Sequence, residues 1–180
     1  MAPVNNIVAD LRFQSPFGMY VSGPTTSGKS SFVFELLKNY RKVFNPVPTR
    51  VVYAYAVWQD SFNVFKNVEF VCGSSSVLEN GFFNPKIDNL LIVDDLMEEI
   101  SNNKAAAALF TRGIHHQNIS VIFISQNMFK QGKSMRDIVL NCQYFVLMNS
   151  PRDVQQIQYL ARQTGLKHLG LTYPDVIKEP

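Results

Sequence analysis

Gly23-Pro24-Thr25-Thr26-Ser27-Gly28-Lys29-Ser30 fits the phosphate-loop spacing GxxxxGK[ST] at every fixed position. The chemistry such a stretch can do is oxyanion binding. Glycine at 23 and 28 lets the backbone curl until consecutive N–H groups, and the N-terminus of a following helix, point at negative charge. Lys29 would then reach the β- and γ-phosphates of a nucleoside triphosphate, and the Ser30 hydroxyl would ligate Mg²⁺. The nucleotide-binding set expected from this is Gly23, Pro24, Thr25, Thr26, Ser27, Gly28, Lys29, Ser30 and Ser31, with a nucleoside triphosphate and Mg²⁺ as its ligands.

A second group able to do chemistry is Asp94-Asp95, delivered at the end of the apolar run Leu90-Leu91-Ile92-Val93. In a phosphate-loop protein, a buried parallel strand ending in a carboxylate is the Walker B element, and Asp94 would hold Mg²⁺. Asp95 stands where a general base polarises the attacking water; Glu98 and Glu99 are substitutes, and a helix N-cap is the alternative role for Asp95. A third group is Gln126, at the end of the run Ile119-Ser120-Val121-Ile122-Phe123-Ile124-Ser125. A polar side chain at the tip of the strand beside the acidic one can touch the γ-phosphate or the lytic water.

The elements that must position these groups are legible from periodicity. Phe17 to Ser22 reads as a short buried strand, and the apolar spacing of Phe32, Val33, Leu36, Leu37, Tyr40 and Phe44 predicts a helix over 31–44. Asn45-Pro46-Val47-Pro48 stops it. Arg50 to Val57 is rich in β-branched and aromatic residues and predicts a strand. Trp58-Gln59-Asp60 follows at its carboxyl end, where it faces the nucleotide or a neighbouring subunit, or where Trp58 caps the core. A short helix over 60–67, a strand over 68–72 and irregular chain over 77–89 come next. Within that chain Asn84, Lys86 and Asp88 have the wrong spacing and order for guanine recognition. A helix over 104–117, the strand over 119–125, a loop over 128–134, a short helix over 135–141 and a strand over 143–148 complete the alternation. Ser150-Pro151-Arg152-Asp153 starts a further helix, with Ser150 as N-cap and proline at its first position.

The chain has 180 residues, 46% hydrophobic and 17% charged, which suits one α/β domain with a mostly parallel central sheet flanked by helices. The expected division is an arm over 1–16, a nucleotide-binding domain over 17–165 and a tail over 166–180. The net charge of +3 does not by itself announce a nucleic-acid binder. Lys130, Lys133, Arg136 and Arg152 nonetheless cluster late in the sequence. Cys72 and Cys142 sit in apolar company and read as reduced core residues, and His115-His116 lack acidic or cysteine partners at ligand spacing. No apolar run approaches the ~20 residues of a membrane span, and the N-terminus lacks a signal-peptide profile, so an intracellular location and no membrane partner are expected.

With these pieces placed, the sequence resembles the viral DNA-packaging ATPases of the FtsK–HerA superfamily, in particular those of poxviruses, adintoviruses and polintons. GPTTSGKS at 23–30, LLIVDD at 90–95, RGIHHQNISVIFISQN at 112–127, RDIVLNCQYFVLMNSPRD at 136–153 and QIQYLARQ at 156–163 carry the likeness. The resemblance implies a RecA-like, additional-strand P-loop fold with the Gln126 strand between the Walker A and Walker B strands. It implies a homo-oligomeric ring that drives double-stranded DNA into a preformed capsid, with a capsid or portal-like component as partner, inside the host cell. It also implies an arginine supplied in trans to the next subunit's ATP site. Arg112 is the candidate, with Arg136 and Arg152 competing. Asp95 departs from the commoner glutamate. A small-molecule phosphotransferase and an ATP-gated assembly scaffold are the rival functions.

Overall fold

The computed structural model describes residues 10–101, 103–126 and 133–148. Its centre is a six-stranded sheet built from β2 (Gly18–Ser22), β4 (Arg50–Tyr55), β5 (Glu69–Cys72), β6 (Asn89–Asp94), β7 (Ile119–Ser125) and β8 (Tyr144–Leu147). The order across it is β5-β4-β6-β7-β2-β8, and every pairing is parallel. A separate parallel pair, β1 (Phe13–Gln14) with β3 (Phe44–Asn45), holds the chain ahead of β2 against the end of the first helical segment.

Parallel strands covered on both faces must be apolar on both faces, which is why β2, β6 and β7 are buried at every residue. Alternate residues feed two cores. Met19, Val21, Tyr53, Leu90, Ile92 and Ile122 meet Val33, Leu36 and Leu37 of α1 (Lys29–Lys38) on one face. Tyr20, Val52, Leu91, Val93 and Phe123 meet α3 (Met97–Ile100), α4 (Lys104–Ala108) and α6 (Lys133–Leu140) on the other, through Met97, Ile100, Ala106 and Ile138. Among the described residues no helix is long and apolar enough to cross a membrane.

Most expected elements are present with shifted ends, and several differ for identifiable reasons. The helix foreseen over 31–44 begins earlier, at Lys29, and breaks at Asn39 into α1 and α2 (Tyr40–Val43). Asn39 ends α1 by donating its backbone N–H to Glu35 and Leu36 carbonyls and its side-chain amide to Glu35. The helix foreseen over 104–117 is capped by the Asn103 side chain, which accepts from the Ala105 and Ala106 N–H groups. It widens into a π turn at Leu109–Gly113 before α5 (Ile114–His116). Glycine suits that turn, since a Cβ on Gly113 would lie 2.8 Å from Leu109 Cδ1. The short helix foreseen over 60–67 is a 3-10 turn at Asp60–Val64.

Cys72 corrects the sequence reading. It is exposed, because β5 is a short strand that among the described residues pairs only with β4, whereas Cys142 is buried and its thiol is pushed up to about 12 by desolvation. Asn84, Lys86 and Asp88 serve a turn: Asn84 Oδ1 accepts from the Lys86 N–H and Asp88 Oδ1 from the Asn118 amide. Ser31 and the rest of α1 continue directly from the phosphate loop. Lys130 and the foreseen helix from Ser150, with Arg152, lie outside the described residues.

Candidate nucleotide-binding and hydrolytic site

The parallel sheet brings the tips of β2, β7, β6 and β4 to one edge, where open α/β sheets bind ligands. β7 pairs with β2 on one side and with β6 on the other, so Gln126 emerges between the phosphate loop and the acidic pair. A cavity of ≈ 210 Å³ there is lined by Thr25, Thr26, Lys29, Ser30, Tyr55, Ala56, Val57, Gln59, Asp94, Asp95, Ile124, Ser125 and Gln126.

The start of the phosphate loop is held from both sides, by the neighbouring strand ends. The Gly23 N–H donates to the Ser125 carbonyl, and the Met148 N–H donates to Ser22. Gly23 lies so close to the segment after β8 that an added Cβ would sit 2.5 Å from Met148 Cβ. Gly28 has φ 91°, a left-handed conformation that glycine adopts without steric cost. It is also the N-cap of α1, so no side chain caps the helix, and its first-turn N–H groups remain for a ligand. Lys29 Nζ donates to the Gly23 and Pro24 carbonyls, both at 2.7 Å, which places the ammonium inside the curl of the loop. Burial lowers the Lys29 pKa, and the negative fields of Asp94 and Asp95 oppose that shift.

Asp94 is buried at the end of β6, and its register partner on β4 is Tyr55. Tyr53, two residues earlier on the same face of β4, donates its hydroxyl to Asp94 Oδ2 at 2.7 Å. Burial raises the Asp94 pKa. The Tyr53 hydrogen bond pulls it down, Asp95 pushes it further up, and Lys29 lowers it. Burial and the adjacent Asp94 charge keep the Tyr53 phenol neutral, its pKa far above the ordinary value. Tyr53 is a residue that sequence reasoning missed. The signal was its parity with Asp94 across neighbouring strands, which is readable only once β4 is known to lie beside β6.

Asp95 has φ 56°, an uncommon conformation for a residue with a Cβ and one that aspartate tolerates better than most. It does not act as a side-chain cap for α3, whose N-cap is Leu96. Instead Asp95 Oδ2 accepts from Gln126 Nε2 at 3.0 Å, and Gln126 Oε1 accepts from the Thr25 hydroxyl at 3.1 Å. One amide thus links the carboxylate to the phosphate loop. Glu98 is exposed on α3, and Glu99 is occupied elsewhere, accepting from the Ser74 N–H and hydroxyl at 2.8 and 2.7 Å.

The residues present suit a nucleoside triphosphate with Mg²⁺. An uncapped helix N-terminus, an ammonium and threonine hydroxyls provide the donors that a polyphosphate needs. Ser30 and Asp94 supply the hard oxygen ligands that Mg²⁺ takes alongside phosphate oxygens and water. Thr25, Thr26, Lys29, Ser30, Asp94, Asp95 and Gln126 are therefore gathered in one cavity. Arg112 is not among them. It is exposed in the π turn and lines a different groove with Val77, Leu78, Glu79 and His116. Arg136 is exposed on α6.

No family model matches the sequence, and no curated protein matches it. Solved structures do match in three dimensions. B204, the DNA-packaging ATPase of Sulfolobus turreted icosahedral virus, aligns with a TM-score of 0.60 at 13% identity over 87% of this chain and 88% of that one. The genome packaging NTPase B204 of Sulfolobus turreted icosahedral virus 2 in complex with AMPPCP aligns at 0.56 and 13%, over 86% and 87%. The flagellar accessory protein FlaH of Methanocaldococcus jannaschii aligns at 0.53 and 13%, over 74% and 71%. The chain has the RecA-like P-loop fold that these structures share, a mostly parallel sheet flanked by helices.

Proposed function

We propose that this protein is an ATP-hydrolysing motor that packages double-stranded viral DNA into a preformed capsid. The observation that carries the reading is the Thr25–Gln126–Asp95 chain of hydrogen bonds, which ties a carboxylate at the acidic strand tip to a phosphate loop. A protein that only bound nucleotide would need the loop but not a poised base. The viral packaging NTPases with the same fold support the choice of task.

In this reading the loop N–H groups and Lys29 hold the triphosphate, and Ser30 and Asp94 hold Mg²⁺, which supplies charge neutralisation on the phosphate oxygens. Asp95 accepts a proton from the attacking water and fixes its direction. Gln126 Nε2, already bonded to Asp95, turns its second N–H to the γ-phosphate while Oε1 keeps the Thr25 hydroxyl, and so reports nucleotide state to the loop. An arginine from a neighbouring subunit, Arg112 or one of its rivals Arg136 and Arg152, stabilises the charge on the transferring phosphoryl group. Subunits form a homo-oligomeric ring in the infected cell, and Lys130 and Lys133 contact DNA phosphates.

The test is ATP hydrolysis by assembled protein with and without duplex DNA. Hydrolysis stimulated by DNA and nearly abolished in Lys29→Ala is expected. No hydrolysis under either condition would end the motor reading. ADP formation that rises with an added hydroxyl or nucleoside-monophosphate acceptor would indicate a phosphotransferase.

A further inference from the structure

The wall of the cavity at the tip of β4 is made by Tyr55, Ala56, Val57 and Gln59, and nothing in the reading above uses it. Across the sheet edge the order is fixed by strand pairing: phosphate loop after β2, Gln126 after β7, Asp94 and Asp95 at β6, then the tip of β4. The loop and Lys29 hold the diphosphate that leaves. In an in-line displacement the nucleophile must enter on the opposite side from the leaving oxygen. The tip of β4 is therefore on the side of attack, beyond the carboxylates.

Gln59 is the polar side chain there. It lines the cavity together with Tyr55, Ala56 and Val57. Its backbone is committed, since its carbonyl accepts from the Phe62 N–H at 3.0 Å, but its side-chain amide has no hydrogen-bond partner among the described residues. The segment that carries it is pinned at both ends. Upstream, the Tyr55 carbonyl accepts from the Gly73 N–H at 2.9 Å and Tyr55 pairs with Asp94 in register. Downstream, Phe62 is buried and stacks on Phe70 with ring centroids 4.7 Å apart. Trp58, next to Gln59, packs edge-on against both Phe62 and Phe70, at 5.3 and 5.7 Å. The backbone of this exposed tip is thereby anchored by aromatic packing, while the Gln59 amide is left for a ligand.

We propose that Gln59 is a further catalytic residue, whose amide spans the γ-phosphate and the attacking water from the side opposite the phosphate loop. This rests on the hydrolytic reading of the site. The water oxygen bonds to the γ-phosphorus, and the bond from that phosphorus to the β,γ-bridging oxygen breaks. ADP leaves with the electron pair, and the water proton passes to Asp95. Gln59 Oε1 accepts from the second water hydrogen while Nε2 donates to a γ-phosphate oxygen, so the water is held between two acceptors on the attack side.

The experiment compares wild type, Gln59→Ala and Gln59→Glu in steady-state ATP hydrolysis, in binding of a fluorescent non-hydrolysable ATP analogue and in thermal unfolding. The expected result is a kcat lower by roughly 10²-fold in both variants, the scale of losing one preorganised donor to the reacting group. Analogue affinity in Gln59→Ala and the unfolding midpoints of both variants stay close to wild type. Gln59→Glu separates the two halves of the role, because it keeps the acceptor but loses the donor to phosphate. An unchanged kcat in an active enzyme would overturn the proposal while leaving the hydrolytic reading intact, as would a parallel loss of affinity and unfolding temperature, which marks a merely structural wall. A wild-type protein that binds the analogue but hydrolyses nothing would remove both.

Discussion

The Tyr53 hydroxyl donates to Asp94 Oδ2 at 2.7 Å, joining the middle of β4 to the tip of β6 inside the core. Both groups are buried, and the bond occupies one carboxylate oxygen so that the other can face the cavity. Side-chain donors of this kind orient a metal-binding carboxylate and are costly to remove. Tyr53→Phe keeps the ring and its contacts with Phe34, Phe62 and Phe70 but deletes the donor. The expected outcome is a loss of about 1–3 kcal/mol in unfolding free energy, from leaving a buried acceptor short of a partner. A Mg²⁺ requirement shifted to higher concentration should accompany it, checked by titrating Mg²⁺ in the hydrolysis assay.

The pH dependence of stability follows from the same carboxylate. Burial raises the Asp94 pKa above its ordinary 3.8, so the folded chain holds that proton more tightly than the unfolded chain does. The stability this contributes is present below 3.8 and is lost as pH rises through the higher folded value. Asp94→Asn removes the slope. In the presence of chelator and without nucleotide, the variant should match wild type near the acid end and exceed it at neutral pH. Urea unfolding across that pH range measures the difference, and equal slopes in the two proteins would contradict it.

Asp95, the proposed base, has a left-handed backbone. Asp95→Asn is the clean chemical test, since asparagine tolerates that conformation and keeps the shape while losing the base. Hydrolysis should fall by roughly 10²–10⁴-fold with nucleotide binding retained. Asp95→Gly relieves the conformational cost and should raise stability by about 1 kcal/mol while also abolishing turnover. If Asp95→Asn hydrolyses ATP normally, the base lies elsewhere.

Gly23 is fixed by packing rather than by its dihedral angle, because its Cβ position is taken by Met148. Gly23→Ala should destabilise the fold by about 1–3 kcal/mol and weaken nucleotide binding, since relieving the overlap pushes the loop away from β8. Gly23→Ala combined with Met148→Gly should recover part of the loss relative to the two single variants, because only glycine removes the Met148 Cβ that the added methyl meets. Calorimetric unfolding of the single and double variants measures that recovery.

The amide of Gln126 can be tested by charge. Gln126→Glu replaces the donor to Asp95 with a second carboxylate at the position where Nε2 stands 3.0 Å from Oδ2. Like charges so close favour protonation of one of them. The acid side of the hydrolysis profile should therefore lose activity first, because a protonated Asp95 cannot take the water proton, whereas Gln126→Ala should reduce kcat without moving the profile. Rates measured from pH 6 to pH 9 with each variant distinguish the two outcomes.

The phosphate loop and the apolar strands ending at Asp94 and Ser125 were legible in the sequence because they are local objects. The spacing from Gly23 to Ser30 and the uninterrupted runs Leu90–Val93 and Ile119–Ile124 each lie within a few consecutive residues. Their physics, oxyanion binding by a curled backbone and burial of a strand on both faces, depends on nothing distant. The alternation of those runs with helical periodicity was enough for a parallel α/β sheet. Element ends were less legible, because Asn39 and the Leu109–Gly113 turn respond to packing that periodicity does not encode.

What only the tertiary structure decided is every relationship between strand tips. Tyr53 bonds Asp94 because β4 lies beside β6 in a register that places Tyr55 opposite it. Gln126 bridges Thr25 and Asp95 because β7 enters between β2 and β6. Cys72 is exposed because among the described residues β5 pairs only with β4, and Arg112 opens into another groove. A strand's sequence specifies that both its faces are buried, but not which strand covers its edge. That choice is made by long-range pairing, and with it the identity of the groups that meet at the site.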